Sequence, residues 1–596
     1  MSSSRREFLA LSALGVLGAG ASFGQNPPSS PAPGTPPAFG TMPPAGPNVT
    51  PNDVAAAEKL VRITLTQQQR EQVAVNWREA IAPLYERRTG PRRVPLADTD
   101  APYSLWNPTL PGMSRGPQKN RFLRSAYHER KLPATDEEIA FAPVADLSRW
   151  IERRELTSVR LTQIYLDRLR RYDDKLHCVI TLLPEQALAA ARQADYDIEH
   201  GLQRSPLHGI PWGAKDLLDT AGIPTTYGAE PFRNRIPAED ATVVRRLTAA
   251  GAILVAKLSM GALALNDVWF GGQTKNPWLL EEGSGGSSAG PAAAVSAGLV
   301  GFAMGSETGG SIVGPAMRCG VTGLRPTFGR VPRTGAMTLC WSLDKLGPMT
   351  RSVEDALLVL HPLGGPDDGD LCVADRNLDF DAAAPVKGLR LGYFPRWMQE
   401  SPATDVDRAA LETARQLGFQ PVEVSLPDWP YDSLELILFA ESAASFEELA
   451  LKGGLDQLKM QTPDAWPNTF RQSRFLSAVD FVQADRFRRK VAAEMARIFS
   501  QVDLLLVPSL RDEMLTISNF TGHPSLTFRA GFIGVNQARS DWAPDPVHPL
   551  PSFKKPRRVP YGVTLIGPLF GEGLLGQAGV ALEKAFAVAD ERPAGF

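Results

Sequence analysis

Residues 271–335 hold 16 of the 52 glycines in a chain of 596 residues. Two runs stand out, Gly283-Ser284-Gly285-Gly286-Ser287-Ser288-Ala289-Gly290 and Gly305-Ser306-Glu307-Thr308-Gly309-Gly310-Ser311. Glycine at this density makes either a flexible linker or a set of tight turns inside a folded body. Linkers sit among polar residues, whereas here the flanks are apolar. Pro291 to Val300 is a small-residue helix candidate and Leu299 to Met304 a strand candidate. Ten helical residues advance about 15 Å, and six strand residues return about 20 Å. A helix out and a strand back would set Ser287 and Ser311 side by side, each in a turn with bare backbone N–H groups. The first turn also opens a helix, whose N-terminus favours developing negative charge. Such an arrangement suits a nucleophilic serine with an oxyanion hole.

A nucleophilic serine needs a base, and no histidine lies in or near this segment. Upstream, His208-Gly209-Ile210-Pro211-Trp212-Gly213-Ala214-Lys215-Asp216-Leu217-Leu218 offers Lys215 in largely apolar company. Burial disfavours the ammonium form and lowers a lysine's pKa, so Lys215 could act as a neutral base; a lone lysine is more often a surface charge.

The remaining chain gives the organisation. Ser4-Arg5-Arg6-Glu7-Phe8-Leu9, followed by a Gly-rich apolar stretch to Gly24, resembles a twin-arginine export signal, with Ala19-Gly20-Ala21 as a small-residue cleavage site. The apolar run is too short for a permanent span, and no other stretch is long enough to cross a bilayer. Residues 27–51 contain 10 prolines and read as a tether. The expected division is a signal peptide over 1–24, a Pro-rich linker over 25–51, a partly helical extension over 52–140 and one large α/β body over 141–596. Length alone would allow about four domains. Leu147 to Tyr172 reads as two helices broken near Thr157-Ser158, and Pro184 to Gly201 as another with proline near its start. Ala252 to Ala256 and Leu504 to Val507 suit buried strands. Strands interleaved with helices imply a sheet covered on both faces. A balance of 63 Lys+Arg against 65 Asp+Glu argues against a nucleic-acid binder. Cys178, Cys319, Cys340 and Cys372 form no CxxC pair and no HExxH spacing occurs, so neither metal nor cofactor is expected. Export permits disulfides, but free buried cysteine is the default reading.

With these residues in view, the chain resembles the amidase signature family. Gly285-Gly286-Ser287-Ser288-Ala289-Gly290 matches its GGSS(G/A)G element. Thr308-Gly309-Gly310-Ser311-Ile312 and Cys319-Gly320-Val321-Thr322-Gly323-Leu324-Arg325-Pro326-Thr327 match two further elements. Pro206 to Asp216 resembles the lysine motif. Asp503 to Pro508, Gly522-His523-Pro524-Ser525-Leu526, and Ile566-Gly567-Pro568 to Glu583 resemble later ones. The likeness spans roughly residues 140 to 590. It implies the amidase signature fold, a large mixed twisted β-sheet covered on both faces by α-helices. It also implies a Ser–cis-Ser–Lys triad with Ser311 as nucleophile, Ser287 as the cis-serine and Lys215 as the base. The oxyanion hole would be the N–H groups of Thr308, Gly309, Gly310 and Ser311, and Ser288 would support the triad by hydrogen bonding. The implied partner is a small-molecule amide, with the membrane met only during export, a periplasmic or secreted location, and a homodimer as one option for assembly.

The departures are specific. Many relatives carry Arg two or three residues after the nucleophile, sometimes holding a substrate carboxylate; here those positions are Val313 and Gly314. That leaves a neutral, wider wall and favours an amide without a neighbouring carboxylate, unless Arg318 substitutes. The acidic residue before the nucleophile loop is Glu307, and residues 533–560 look like an elaborated loop. Three alternatives remain. One is the glutaminase subunit of a tRNA-dependent amidotransferase, against which an export signal argues. A second is an α/β-hydrolase esterase, in which Gly286-Ser287-Ser288-Ala289-Gly290 places Ser288 as nucleophile with His523 or His548. The third is a non-catalytic binding protein that keeps the fold.

Overall fold

The computed structural model describes residues 44–85, 87, 92–96, 104, 116–126, 130–545 and 547–596. The twin-arginine segment and most of the Pro-rich stretch lie outside the described residues. The chain's main sheet has eleven strands among the described residues. In chain order they are β1 (Val179–Leu182), β2 (Pro211–Lys215), β3 (Ile253–Leu258), β4 (Phe302–Glu307), β5 (Thr322–Arg325), β6 (Lys345–Thr350), β7 (Arg390–Tyr393), β8 (Gln420–Glu423), β9 (Leu504–Pro508), β10 (Ser525–Gln537) and β11 (Ser552–Ile566). They lie in the order β8-β7-β9-β11-β10-β5-β6-β4-β2-β3-β1. The sheet is mixed: β2 runs parallel to β3 and β4, while β4, β6, β5 and β10 alternate in direction.

The central strands are apolar without alternation because both faces are covered. Every residue of β2, β4, β5, β6 and β9 is buried. Period-two geometry sends neighbours to opposite cores. Phe302 and Met304 join the larger cluster with Trp212 and Leu324, while Ala303 joins a second with Val255, Val295 and Met349.

The helices Val144–Glu152 and Ser158–Leu176 break where expected, because the Thr157 hydroxyl accepts from Arg160 N at 3.1 Å and caps the second. Pro184 opens the helix Pro184–Glu199. After the first serine turn, the helix runs Ala289–Ser296 rather than 291–300, and β4 starts at Phe302 rather than Leu299. The chain leaves the helix through Gly298 at φ +64°, and Leu299 N bonds back to Ala294 O at 2.8 Å. An apolar run does not reveal that left-handed exit.

The extension forms helices Pro51–Val61 and Gln67–Ala80, each with a Thr-headed capping box. The second docks on the body: Gln72 and Asn76 donate to the carbonyls of Gln461 and Pro463, at 2.9 and 2.8 Å. Residues 533–560 are not one loop. Residues 533–537 and 552–560 extend β10 and β11 as a two-stranded ribbon, leaving 538–551 as the connection. Lys554-Lys555-Pro556-Arg557-Arg558 reads as non-strand, yet proline and charge are tolerated where a strand is solvated.

The helix Glu572–Phe586 closes the fold, and its Glu583 carboxylate accepts Val353 N at 3.1 and 3.2 Å. Burial pushes this carboxyl up from 4.5 to about 8. Its stabilising contribution is present below pH 4.5 and is lost as pH rises through 8, because the unfolded chain releases the proton first. Glu583→Gln should therefore gain thermal stability relative to wild type between pH 5 and pH 8.5. A melting-temperature difference that stays constant over that range would refute the shift.

Candidate active site

Lys215 is the last residue of β2, and the parallel register Ala214↔Met304 sets it beside the end of β4. It is fully buried. Its Nζ lies 2.7 Å from Ser287 Oγ, 2.8 Å from Ser306 Oγ and 3.1 Å from Ser288 Oγ. Burial holds its pKa well below the usual lysine value, against the opposing pull of Asp344 and Glu307. A neutral amine carries two N–H bonds and one lone pair. The ammonium form would donate to all three hydroxyls, whereas in the neutral form one hydroxyl has to donate to the nitrogen.

Ser288 is not that donor. Its Oγ accepts from Ser306 N at 3.1 Å and from Lys215 Nζ, and it donates to Ser306 O at 3.1 Å. With one proton and two lone pairs, its hydroxyl is fully committed. With the amine neutral, the donor is Ser287 or Ser306, at 2.7 and 2.8 Å. The Gly286–Ser287 peptide is cis.

The second turn connects β4 to the helix Val313–Cys319. Ser288 N donates to Ser311 O at 3.2 Å, so the two turns are laced together as the helix-out, strand-back length suggested. Ser311 and Gly310 are half-buried and Gly309 is exposed. Gly310 sits at φ +127°, a conformation that a side chain would strain. The N–H groups of Gly309, Gly310 and Ser311 donate to no acceptor among the described residues.

Glu307 staples the turn from beneath. Its Oε2 accepts Ile312 N at 2.7 Å and Val313 N at 2.9 Å, and its Oε1 accepts Arg325 Nη1 at 2.6 Å and Asn519 Nδ2 at 2.9 Å. Burial alone would raise this carboxyl, but Arg325 and the two backbone N–H groups outweigh it and keep it ionised. Thr308 Oγ1 donates to Asp344 Oδ1 at 2.6 Å. A cavity of about 430 Å³ opens here, lined by Leu217, Ala264, Ser306, Thr308, Met337 and Trp341 among others. In its wall Arg333 pairs with Asp370 through two bonds of 2.8 Å.

Glu307 stands out in the sequence as the acidic residue before the turn, but its pairing with Arg325 and Asn519, and the parts of Ser306 and Asp344, do not. The available signal is a Ser-Glu pair ending an otherwise apolar strand. Arg318 does not stand in for the absent arginine at Val313 and Gly314, because its Nη2 is bound to Asp541 Oδ1 at 2.7 Å and the side chain is buried. His523 contacts Thr521 Oγ1 at 2.7 Å and stacks on Phe499, and exposed His548 contacts Asp545. Neither histidine hydrogen-bonds Ser288. All four cysteines are free, three of them buried and Cys372 half-buried.

A family model described as Amidase matches residues 160–575. The chain belongs to the amidase signature family and is an enzyme acting on amide C–N bonds. A glutamyl-tRNA(Gln) amidotransferase subunit from Methylococcus capsulatus is 34% identical over 464 residues, covering 72% of this chain and 94% of its own length. The solved native peptide amidase from Stenotrophomonas maltophilia superposes with a TM-score of 0.64 at 28% identity, covering 76% of this chain and 98% of that one. A bacterial aryl acylamidase of the same family shares the fold, with a TM-score of 0.63 at 22% identity over 76% of this chain and 99% of its own.

Proposed function

We propose that this chain is an exported amidase that hydrolyses a neutral amide through an acyl-enzyme on Ser311. The observation that carries the reading is the hydroxyl cage around buried Lys215, laced to Ser311 through Ser288 N. Neutral Lys215 takes the proton of Ser287, Ser287 takes that of Ser311, and the Ser311 oxygen attacks the amide carbon. Negative charge on the carbonyl oxygen meets the N–H groups of Thr308, Gly309, Gly310 and Ser311, in place before reaction. The relay then runs backwards and delivers a proton to the leaving amine, after which water hydrolyses the ester.

The preference for a neutral amide is supported by the charge pairing in the cavity wall and by Val313 and Gly314 in place of an arginine. Residues 1–51, with their paired arginines, support export, and the family match over residues 160–575 supports an amidase body from residue 141. The test is to screen the mature protein against neutral and acidic amides, measuring ammonia and amine release separately. Turnover confined to acidic amides would overturn the neutral preference. A glutaminase component of an amidotransferase is the second reading, favoured by the name of the relative from Methylococcus; it requires glutamine to outperform every neutral amide in the same screen. Ser288→Ala separates the esterase alternative. It should lower amide turnover about 10- to 100-fold by loosening Ser306 and Lys215, whereas a Ser288 nucleophile requires complete loss.

A further inference from the structure

The connection between β10 and β11 reaches back to the serine turn. Arg539 anchors it on Glu282: Arg539 N, Nε and Nη2 donate to that carboxylate at 2.9, 3.1 and 2.6 Å, with both side chains fully buried. Two residues on, Asp541 touches the turn itself. Its Oδ2 accepts Gly286 N at 3.0 Å, its Oδ1 accepts Arg318 Nη2 at 2.7 Å, and its carbonyl accepts Asn266 Nδ2 at 3.2 Å. There is no slack around this contact. A Cβ on Gly286 would lie 1.6 Å from Asn266 O, and one on Gly285 would lie 3.1 Å from Asp541 Oδ2.

We propose that Asp541 is a positioning residue that holds Ser287 in register for proton transfer, acting through the Gly286 N–H. The inference rests on the Ser311–Ser287–Lys215 relay proposed above. Ser287 is then held at two points: its hydroxyl by Lys215 at 2.7 Å and the preceding amide by Asp541. Arg318 orients the carboxylate, so one of its oxygens faces Gly286. An unanchored carboxylate would rotate and leave that N–H without its acceptor.

The relay makes the idea separable from simple support. In amide cleavage the proton leaves Ser311 Oγ, passes through Ser287 to Lys215, and returns through Ser287 to the amine nitrogen as the C–N bond breaks. A p-nitrophenyl ester expels an anion that needs no proton. Misplacing Ser287 therefore harms amide cleavage more than ester cleavage, whereas a general loosening of the fold harms both alike.

The experiment uses the full mature chain with an anilide and a p-nitrophenyl ester of the same acyl group. Asp541→Ala should lower kcat for the anilide about 100-fold with KM within about two-fold, and lower ester turnover less than about 10-fold. Asp541→Asn keeps an oxygen acceptor for Gly286 and should fall between; it also carries the test if Asp541→Ala does not fold. Thr157→Ala, which removes a helix cap and leaves this connection untouched, should lower the melting temperature and leave the anilide-to-ester ratio unchanged. Equal losses on both substrates, or wild-type anilide turnover in both Asp541 variants, would overturn the proposal. Anilide turnover surviving in Ser311→Ala would instead remove the relay on which it rests.

Discussion

Ser311→Ala should lower amide hydrolysis by about four to six orders of magnitude, as loss of a nucleophile does elsewhere, with a melting temperature unchanged within about 2 °C. The fold should not notice the change. Ser311 is half-buried, its carbonyl keeps the bond from Ser288 N in the variant, and the turn is held by Glu307 through Ile312 N and Val313 N rather than by the Ser311 side chain. What disappears is the hydroxyl proposed to attack the amide carbon. Burst kinetics with an activated ester should vanish with it. Near-normal amide turnover in this variant would end the assignment of Ser311.

Lys215→Ala should be nearly as severe, lowering kcat by about three orders of magnitude or more, and it should also remove the pH dependence. In the wild type, kcat/KM should rise with pH as the lysine loses its proton. Burial places that limb well below the usual lysine value, with Asp344 and Glu307 opposing the shift. Above the limb the amine is neutral and can accept from Ser287; below it the ammonium only donates, and the relay stops. Stability follows the same sign. Between the lowered folded value and 10.5 the unfolded chain binds a proton that the folded chain lacks, so stability rises with pH and is lost as pH falls through the folded value. A pH–rate profile flat from pH 5 to 9, or a Lys215→Ala variant that keeps the wild-type limb, would rule out lysine as the base.

Much of the candidate site was legible because its residues lie in local runs. Two glycine-serine turns flanked by apolar residues fit closed turns in a core, and the intervening length returns the chain to its start. The helix break at Thr157 and the strands at Ile253–Leu258 and Leu504–Pro508 follow from capping and burial patterns of the same local kind. The less legible parts lay at element ends and in the β10–β11 ribbon. Gly298 ends a helix that apolarity alone would prolong, and Lys554 to Arg558 form a strand despite a composition that resembles a loop.

From sequence alone came the family resemblance, the two turns, the candidate lysine and serines, and the α/β alternation, all carried by residues close together along the chain. The tertiary structure alone decided what holds them. Ser306 meets Lys215 because β2 and β4 are parallel neighbours, and Asp344 meets Thr308 because β6 runs antiparallel to β4. Arg325 and Asn519 meet Glu307 from two other elements, and Asp541 reaches Gly286 from a connection 255 residues away. Strand register and hairpin folding set these partnerships. Periodicity and motif spacing report which face a residue takes, but not which distant chain will lie against it.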